Sequence, residues 1–409
     1  MIRIFRWSIH AAVVVLLQSC SAPHADAPRA TLSAARSSAA NVTNGCVDRF
    51  AEGTDYFPHK AVIEDARNFS VEYHNFYKIV TVRHAYSGGP AERYVLVQCG
   101  APKPVLGAGL DSAPFVTVPV TSIFSASPTH LQALADFGWI DAVTGVASGT
   151  HVTIPRLISR IASGATIEFA PASVIDTERV VASAPSIFMT AGTFNASLAV
   201  LRAAGIPVVA NVDWLEETAL ARSEWAKYSS LFLNEEQNAQ TAFDRVKRAY
   251  GALADRATRI PDHERPSVMT GRAARGTYTS AGGQSYVATL ISDAGGRYVW
   301  RDNSATGTFA VDLEAQLRRA ADADIWINGG GWANRAAMVA DEPRYRLLKA
   351  YRDNQVWVYE RRMSAAGAND YWSRGATRPD LVLADLVKIF HPALLPDHQF
   401  EWYMQVPAP

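Results

Sequence analysis

The sequence predicts an α/β protein. It consists of two three-layer α/β lobes joined by one long rigid helix, with a β-rich extension before the first lobe. Three observations carry this reading. Strand and helix patterns alternate from about residue 114 to 210, they alternate again from 267 to 390, and an unbroken helical pattern lies between. The composition agrees: of 409 residues, 48% are hydrophobic and 19% charged, which excludes wholesale disorder and suits about two to three domains. A net charge of zero argues against nucleic acid as a partner. Three cysteines exclude a disulfide-rich scaffold and argue against a zinc ribbon.

Residues 1–19 read as an export signal. Arg3 and Arg6 give the charged start, and Ile9 to Leu17 is an apolar run too short to span a bilayer. Leu17-Gln18-Ser19-Cys20 resembles a lipobox, which makes Cys20 the lipidated first residue of a periplasmic, membrane-anchored lipoprotein. Lipidation tethers the body to the bilayer without inserting it. Residues 20–44 are rich in Ala, Ser, Pro and Thr and read as a flexible tether. The remaining Cys46 and Cys99 are expected to form a disulfide in an oxidising compartment.

The extension, 45–112, has β character. Val71, Tyr73, Tyr77, Ile79, Val80 and Val82 form one alternating run and Tyr94 to Val97 another, with Gly88-Gly89-Pro90 between them as a hairpin turn. The first lobe, 113–233, opens on the apolar run Phe115 to Val118 and the loop Ser125 to Pro128. Leu131, Leu134 and Phe137 then mark a helix face, and Val143–Val146 and Thr166–Phe169 read as strands. Asp176 starts a capped helix, Ser186–Met189 is a strand, Ser197–Ala204 a helix stopped by Gly205, and Pro207–Ala210 a strand. Such an order implies a largely parallel sheet with helices on both faces.

The connecting segment, 234–261, has Asn234 as candidate cap and Ala242, Val246, Ala249, Tyr250 and Leu253 at helical spacing. Twenty-five residues make a helix of about 37 Å. The second lobe, 262–398, has strands at Ser267–Thr270, Asp324–Asn328 and Val356–Tyr359, and helices at Tyr286–Asp293, Tyr345–Tyr351 and Pro379–Phe390. Ligands of open α/β sheets bind beyond the carboxyl ends of strands, so two facing sheets define an inter-lobe cleft.

The order of pieces from Val118 to Pro396 resembles the substrate-binding proteins of ABC importers, and among them the iron–siderophore and cobalamin group. Six motifs carry the likeness: Ser127-Pro128-Thr129-His130 with Leu134 and Gly138; Asp176-Thr177-Glu178 before Ala184-Pro185-Ser186; and Gly205-Ile206-Pro207-Val208 after Leu201 are the first three. Gly282-Gly283 with Ser285-Tyr286 and Asp293 to Gly296, then Ala323-Asp324-Ile325-Trp326, then Asn369 to Trp372 with Pro379-Asp380-Leu381 and His391-Pro392, complete the set. The resemblance implies a monomeric receptor without catalysis or cofactor. It would capture an iron chelate or corrinoid and dock on an inner-membrane permease through one acid per lobe, for which Glu224 and Glu342 are the candidates.

For ligand contact the sequence offers Ser127, Thr129 and His130 at a strand end. Arg272, Arg275, Tyr278 and Tyr286 follow the second lobe's first strand, and Asn369, Tyr371 and Trp372 form an aromatic loop. Between 266 and 301, four arginines (272, 275, 297 and 301) face one Asp293, a setting for an anionic, oxygen-rich chelate. Alternative ligands are cobalamin, heme with Tyr278 or His130 as axial ligand, and a divalent metal; an exported enzyme is a further alternative. No Gly-x-Ser-x-Gly or His-Glu-x-x-His occurs, and Gly329-Gly330-Gly331 lacks the Lys-Ser/Thr of a phosphate loop.

Overall fold

Three of the β-branched and aromatic runs early in the chain pair as antiparallel strands: Phe69–Tyr73, Tyr77–Val82 and Glu92–Gln98, with Val80 opposite both Val71 and Tyr94. These coordinates are a computed structural model that describes residues 36–107, 109–110, 113–193, 196–274 and 276–408. The expected leader, Cys20 and Arg275 lie outside the described residues. Gly88 to Pro90 occupies the hairpin connection, as its composition required. The fourth strand is Phe115–Val118, parallel to Glu92–Gln98. By sequence alone that run belongs to the first lobe. Backbone pairing to the extension instead makes it this sheet's edge, with Val116 and Val118 turned into the core. Cys46 and Cys99 form a disulfide.

The extension is built into the first lobe. One hydrophobic cluster runs from Phe57, Phe69 and Val80 to Ile123, Ile187 and Tyr228, and the Phe69 and Trp225 rings lie 4.8 Å apart. The described part of the expected tether is held: Arg36–Ser37 pairs with Thr54–Asp55, Ser38 N–H donates to the Asp55 carbonyl, and Asn41 Nδ2 donates to His59 O and Glu236 Oε2.

The first lobe holds a five-stranded parallel sheet in the order Val208–Ala210, Ile187–Thr190, Ile123–Ser125, Val143–Val146, Ile167–Glu168. Chain order reverses at Ile123–Ser125. The second lobe orders its strands Arg297–Tyr298, Ser267–Thr270, Ile325–Ile327, Val356–Val358, with Met404–Gln405 antiparallel at the edge. Its reversal lies between Ser267–Thr270 and Ile325–Ile327, where a crevice opens at the carboxyl ends of the strands.

The connecting helix runs Glu236–Ala257 and buries Phe243, Val246 and Tyr250. Ala249, expected inside, is exposed. Asn234 is not its cap: with φ +59°, it turns its amide away to donate to Val42 O and Gln98 Oε1 of the extension. The helix packs on Pro379–Phe390 of the second lobe and Trp225–Leu231 of the first. Three further features escaped the periodicity. Ala219–Ser223 and Trp225–Leu231 are helices in a run with no clean polar face, since most of their residues are buried. A small antiparallel sheet, Arg272–Ala274, Thr277–Ala281 and Thr308–Val311, stands on the second lobe. The expected helix Tyr345–Tyr351 is split by extended Leu348 into a tight turn, Pro343–Leu347, and the short helix Lys349–Arg352. Among the described residues no helix is long and apolar enough to cross a membrane.

Candidate ligand-binding site

A cavity of about 680 Å³ opens at the chain reversal of the second lobe. Its floor is the residues just past three parallel strands: Thr270 to Arg272, Asn328 to Gly331, and Tyr359 with Glu360. The extra sheet adds Thr279 and Thr308, and Trp214 reaches in from the first lobe. Gly271, at φ +87°, makes the turn that carries Arg272; a Cβ there would meet Thr279 O at 1.9 Å. Gly330, at φ +115°, passes close to the Arg272 stem, where a Cβ would stand 2.9 Å from Cδ. The arginine thus lies along a backbone arch that only glycine permits.

One wall is aromatic. Tyr359 and Tyr371 stack with centroids 4.4 Å apart, and Trp372 stands edge-on to both, at 5.4 and 5.1 Å. Tyr286, on the first turn of the Ser285-capped helix Tyr286–Asp293, completes that wall. Asn369 lines the cavity while its Oδ1 accepts the Tyr371 N–H, fixing the aromatic loop. Five expected ligand residues, Arg272, Tyr286, Asn369, Tyr371 and Trp372, therefore line one space.

The others do not. Tyr278 is fully buried, and its hydroxyl donates toward the carbonyls of Thr270 and Gly271, so it braces the Arg272 turn from behind. His130 is buried between Ser125 Oγ and Asn211 O, and burial pushes its imidazole down to about 4, so it is neutral at physiological pH. Neither reaches the cavity, which removes both expected heme ligands from it. Ser127 caps its own turn and Thr129 Oγ1 donates to Asp213. The cleft space beside Thr129 and His130 is filled by Ala376 and Thr377 of the second lobe, leaving about 10 Å³. Of the other described arginines, Arg297 is exposed and donates to Arg265 O, and Arg301 is exposed outside the cavity, so these two do not converge on it with Arg272.

One of the two docking acids differs from expectation. Glu224 is fully buried. Its carboxylate accepts the backbone N–H groups of Glu64, Asp65 and Ala66 and pairs with Lys227 at 2.8 Å, so it offers no surface to a permease. Glu342 caps the turn Pro343–Leu347 and pairs with Arg344, which holds its carboxyl below the usual range. Glu64, Asp65 and Glu224 form the one metal-sized carboxylate group among the described residues, and each of the three is already paired with Lys227 or Lys247.

Among the lining residues the sequence reasoning missed, Trp214, Tyr359 and Glu360 all follow strands, so the carboxyl-end rule that selected Ser127 would have selected them too. Burial raises the Glu360 carboxyl to about 7, against a smaller opposing pull from Arg272. The lobes meet beside the cavity. Arg222 of the first lobe pairs with buried Asp213 at 2.7 Å and lies over the Tyr286 ring at 4.9 Å. This arrangement can enclose a ligand and bind it through rings, hydroxyls and one guanidinium.

The periplasmic binding protein profile matches residues 127–362, more than half of the chain. The chain belongs to the periplasmic binding protein family, whose members bind small solutes for ABC importers. An uncharacterized lipoprotein of Methanocaldococcus jannaschii is 25% identical over 305 residues, covering 72% of this chain and 71% of the relative. A possible iron-binding (periplasmic solute-binding) protein from Staphylococcus epidermidis superposes with a TM-score of 0.51 at 17% identity, over 66% of this chain and 98% of that one. A periplasmic heme binding protein from Pseudomonas aeruginosa gives 0.51 at 18% identity, over 67% and 94%.

Proposed function

We propose that this chain is the substrate-binding lipoprotein of an ABC importer, anchored through Cys20, and that it captures a ferric siderophore-type chelate in the second-lobe cavity for delivery to the permease. One observation carries the reading: the cavity sits at the strand switch point and, among the described residues, combines an aromatic wall with hydroxyls and one arginine, without a set of metal-ligating side chains. Such a surface suits an organic chelate that brings its metal already coordinated, since a bare divalent ion needs several converging histidines, carboxylates or thiolates. The solved relatives named for iron or heme binding, and the relative named as a lipoprotein, are consistent with it. The second lobe supplies most of the lining and the first lobe supplies Trp214, so a ligand held there meets both lobes.

The test is intrinsic tryptophan fluorescence of the full chain titrated with a ferric trihydroxamate, a ferric triscatecholate, cobalamin, heme and Zn²⁺. Trp214 and Trp372 line the cavity. Saturable quenching by a ferric chelate at micromolar or tighter affinity is expected. Saturation by cobalamin, heme or Zn²⁺ alone would replace the iron-chelate reading.

A further inference from the structure

A groove of about 910 Å³ runs along the seam between the extension and the first lobe, and it is larger than the second-lobe cavity. Most of its lining lies between Ala91 and Phe115, before the family-matched residues 127–362. Its charge is unbalanced. Among the described residues, Arg93, Lys103 and Arg202 line it with one acid, Glu92. Both oxygens of Glu92 are engaged: Oε1 accepts from Arg202 at 2.8 Å, and Oε2 accepts from the Tyr94 hydroxyl at 2.7 Å. Arg93 and Lys103 are exposed, and among the described residues neither has a carboxylate partner.

Strand register puts these two cations on one face. Arg93 and Val95 project to the same side of Glu92–Gln98, and Phe115 stands beside Val95 on the neighbouring strand. Strand geometry sets the Cα atoms of Arg93 and Phe115 about 8 Å apart. Lys103 Nζ lies over the Phe115 ring at 5.2 Å from its centroid. Two long side chains so placed can reach one oxyanion together. A guanidinium fork and an ammonium are the groups that recognise a carboxylate or a phosphate. Next to them the apolar surfaces of Pro114, Phe115 and Pro207 are half-buried and line the groove.

We propose that this groove is a second binding site, for an organic acid. Its carboxylate or phosphate head meets Arg93 and Lys103, and its apolar body lies on Phe115 and the two prolines. The Glu92–Arg202 pair ties the extension to the first lobe and keeps the acid from competing for the two free cations. The site is separate from the second-lobe cavity and does not rest on the iron-chelate reading.

The experiment is calorimetric titration of the full chain with 4-phenylbutyrate, phenethyl phosphate, 4-phenylbutylamine and acetate. Saturable binding of one equivalent is expected for at least one of the first two, and the tighter of them names the head group. The amine is expected not to bind. Acetate, which lacks the apolar body, is expected to bind at least about tenfold more weakly than the tighter acid. The double variant Arg93→Ala, Lys103→Ala is expected to weaken that acid by at least about tenfold, as the loss of charge-assisted hydrogen bonds requires. Its thermal melt should match wild type, because both side chains are exposed. Failure of both acids, equal binding of the amine or of acetate, or an affinity that the double variant leaves unchanged would each overturn the proposal. The last result would place the probe in another cavity, and none of them bears on the iron-chelate reading.

Discussion

Lys78 of the N-terminal sheet and Glu236 at the first turn of the connecting helix form an ion pair in which neither side chain is exposed. The same ammonium donates to Leu231 O and Asn234 Oδ1 and lies over the Phe57 ring at 4.5 Å. Glu236 also accepts from Asn41. A carboxylate at a helix N-terminus is favoured by the backbone dipole. The extension therefore reaches the root of the helix that joins the lobes. Glu216 extends the same attachment by accepting the N–H groups of Arg67 and Asn68 and the Trp225 indole.

Breaking this pair from one side leaves a buried charge unmatched. Lys78→Met is expected to destabilise the protein by about 3–5 kcal/mol, read as a lowered urea midpoint with an unchanged m-value. The double variant Lys78→Met, Glu236→Leu is expected to recover much of that loss, because two apolar groups of similar volume replace both charges. A single variant as stable as wild type would show that the extension does not brace the helix.

Glu360 gives the fold a pH dependence near neutrality. Its carboxyl is raised from an ordinary 4.5 to about 7 by burial, while Arg272 faces it across the arch and Tyr359 borders it. The folded state then holds a proton that the unfolded chain has lost between those values. Stability from this group is full below about 4.5 and falls as pH rises toward 7. Thermal melts from pH 5.5 to 8 should show that slope in wild type and a shallower one in Glu360→Gln. Equal slopes in the two would mean that the Glu360 carboxyl does not titrate in this range.

The main fold was legible in the sequence because it is written in local periodicity. Ser267–Thr270, Tyr286–Asp293 and Pro379–Phe390 fall where their apolar spacing, Ser285 cap and N-terminal Pro379 put them. The site was half legible. Arg272 and Tyr371 follow from the rule of strand ends and loop aromatics. Tyr278 misled because a tyrosine two residues after a turn looks the same whether its ring faces the cavity or the core; only the register to Thr308–Val311 decides. Glu224 misled for a related reason. Its partners, the N–H groups of 64–66, lie about 160 residues away, and nothing local records that contact.

Arg272 and Trp372 carry different parts of binding. Arg272→Ala removes the one cation that lines the cavity among the described residues and is expected to weaken a ferric chelate by about ten- to a hundredfold, the worth of a charge-assisted hydrogen bond. Trp372 is about one-third exposed and leans on Tyr359 and Tyr371. Trp372→Ala is expected to cost about tenfold in affinity and to remove most of the ligand-dependent quenching, with folding stability changed by less than about 1 kcal/mol. Isothermal titration calorimetry separates these effects from the loss of the reporter itself. If Trp372→Ala bound normally by calorimetry, that wall would be structural and the ligand would sit nearer Trp214.

Arg222 couples the lobes through two contacts of different kinds. Its Nε pairs with Asp213, which in turn accepts from Thr129, and its guanidinium plane covers Tyr286 of the other lobe. Arg222→Lys keeps the charge and gives up the planar stacking, so a loss of about 0.5–2 kcal/mol is expected. Arg222→Ala also strands the buried Asp213 carboxylate and should cost about 3–5 kcal/mol. Because Tyr286 lines the cavity, both variants should weaken the chelate, the lysine variant several-fold. Equilibrium unfolding and calorimetry on the two variants distinguish the contributions. Equal stability losses in lysine and alanine variants would assign the contact to ring stacking alone, and an unchanged affinity in both would uncouple the lobe interface from the site.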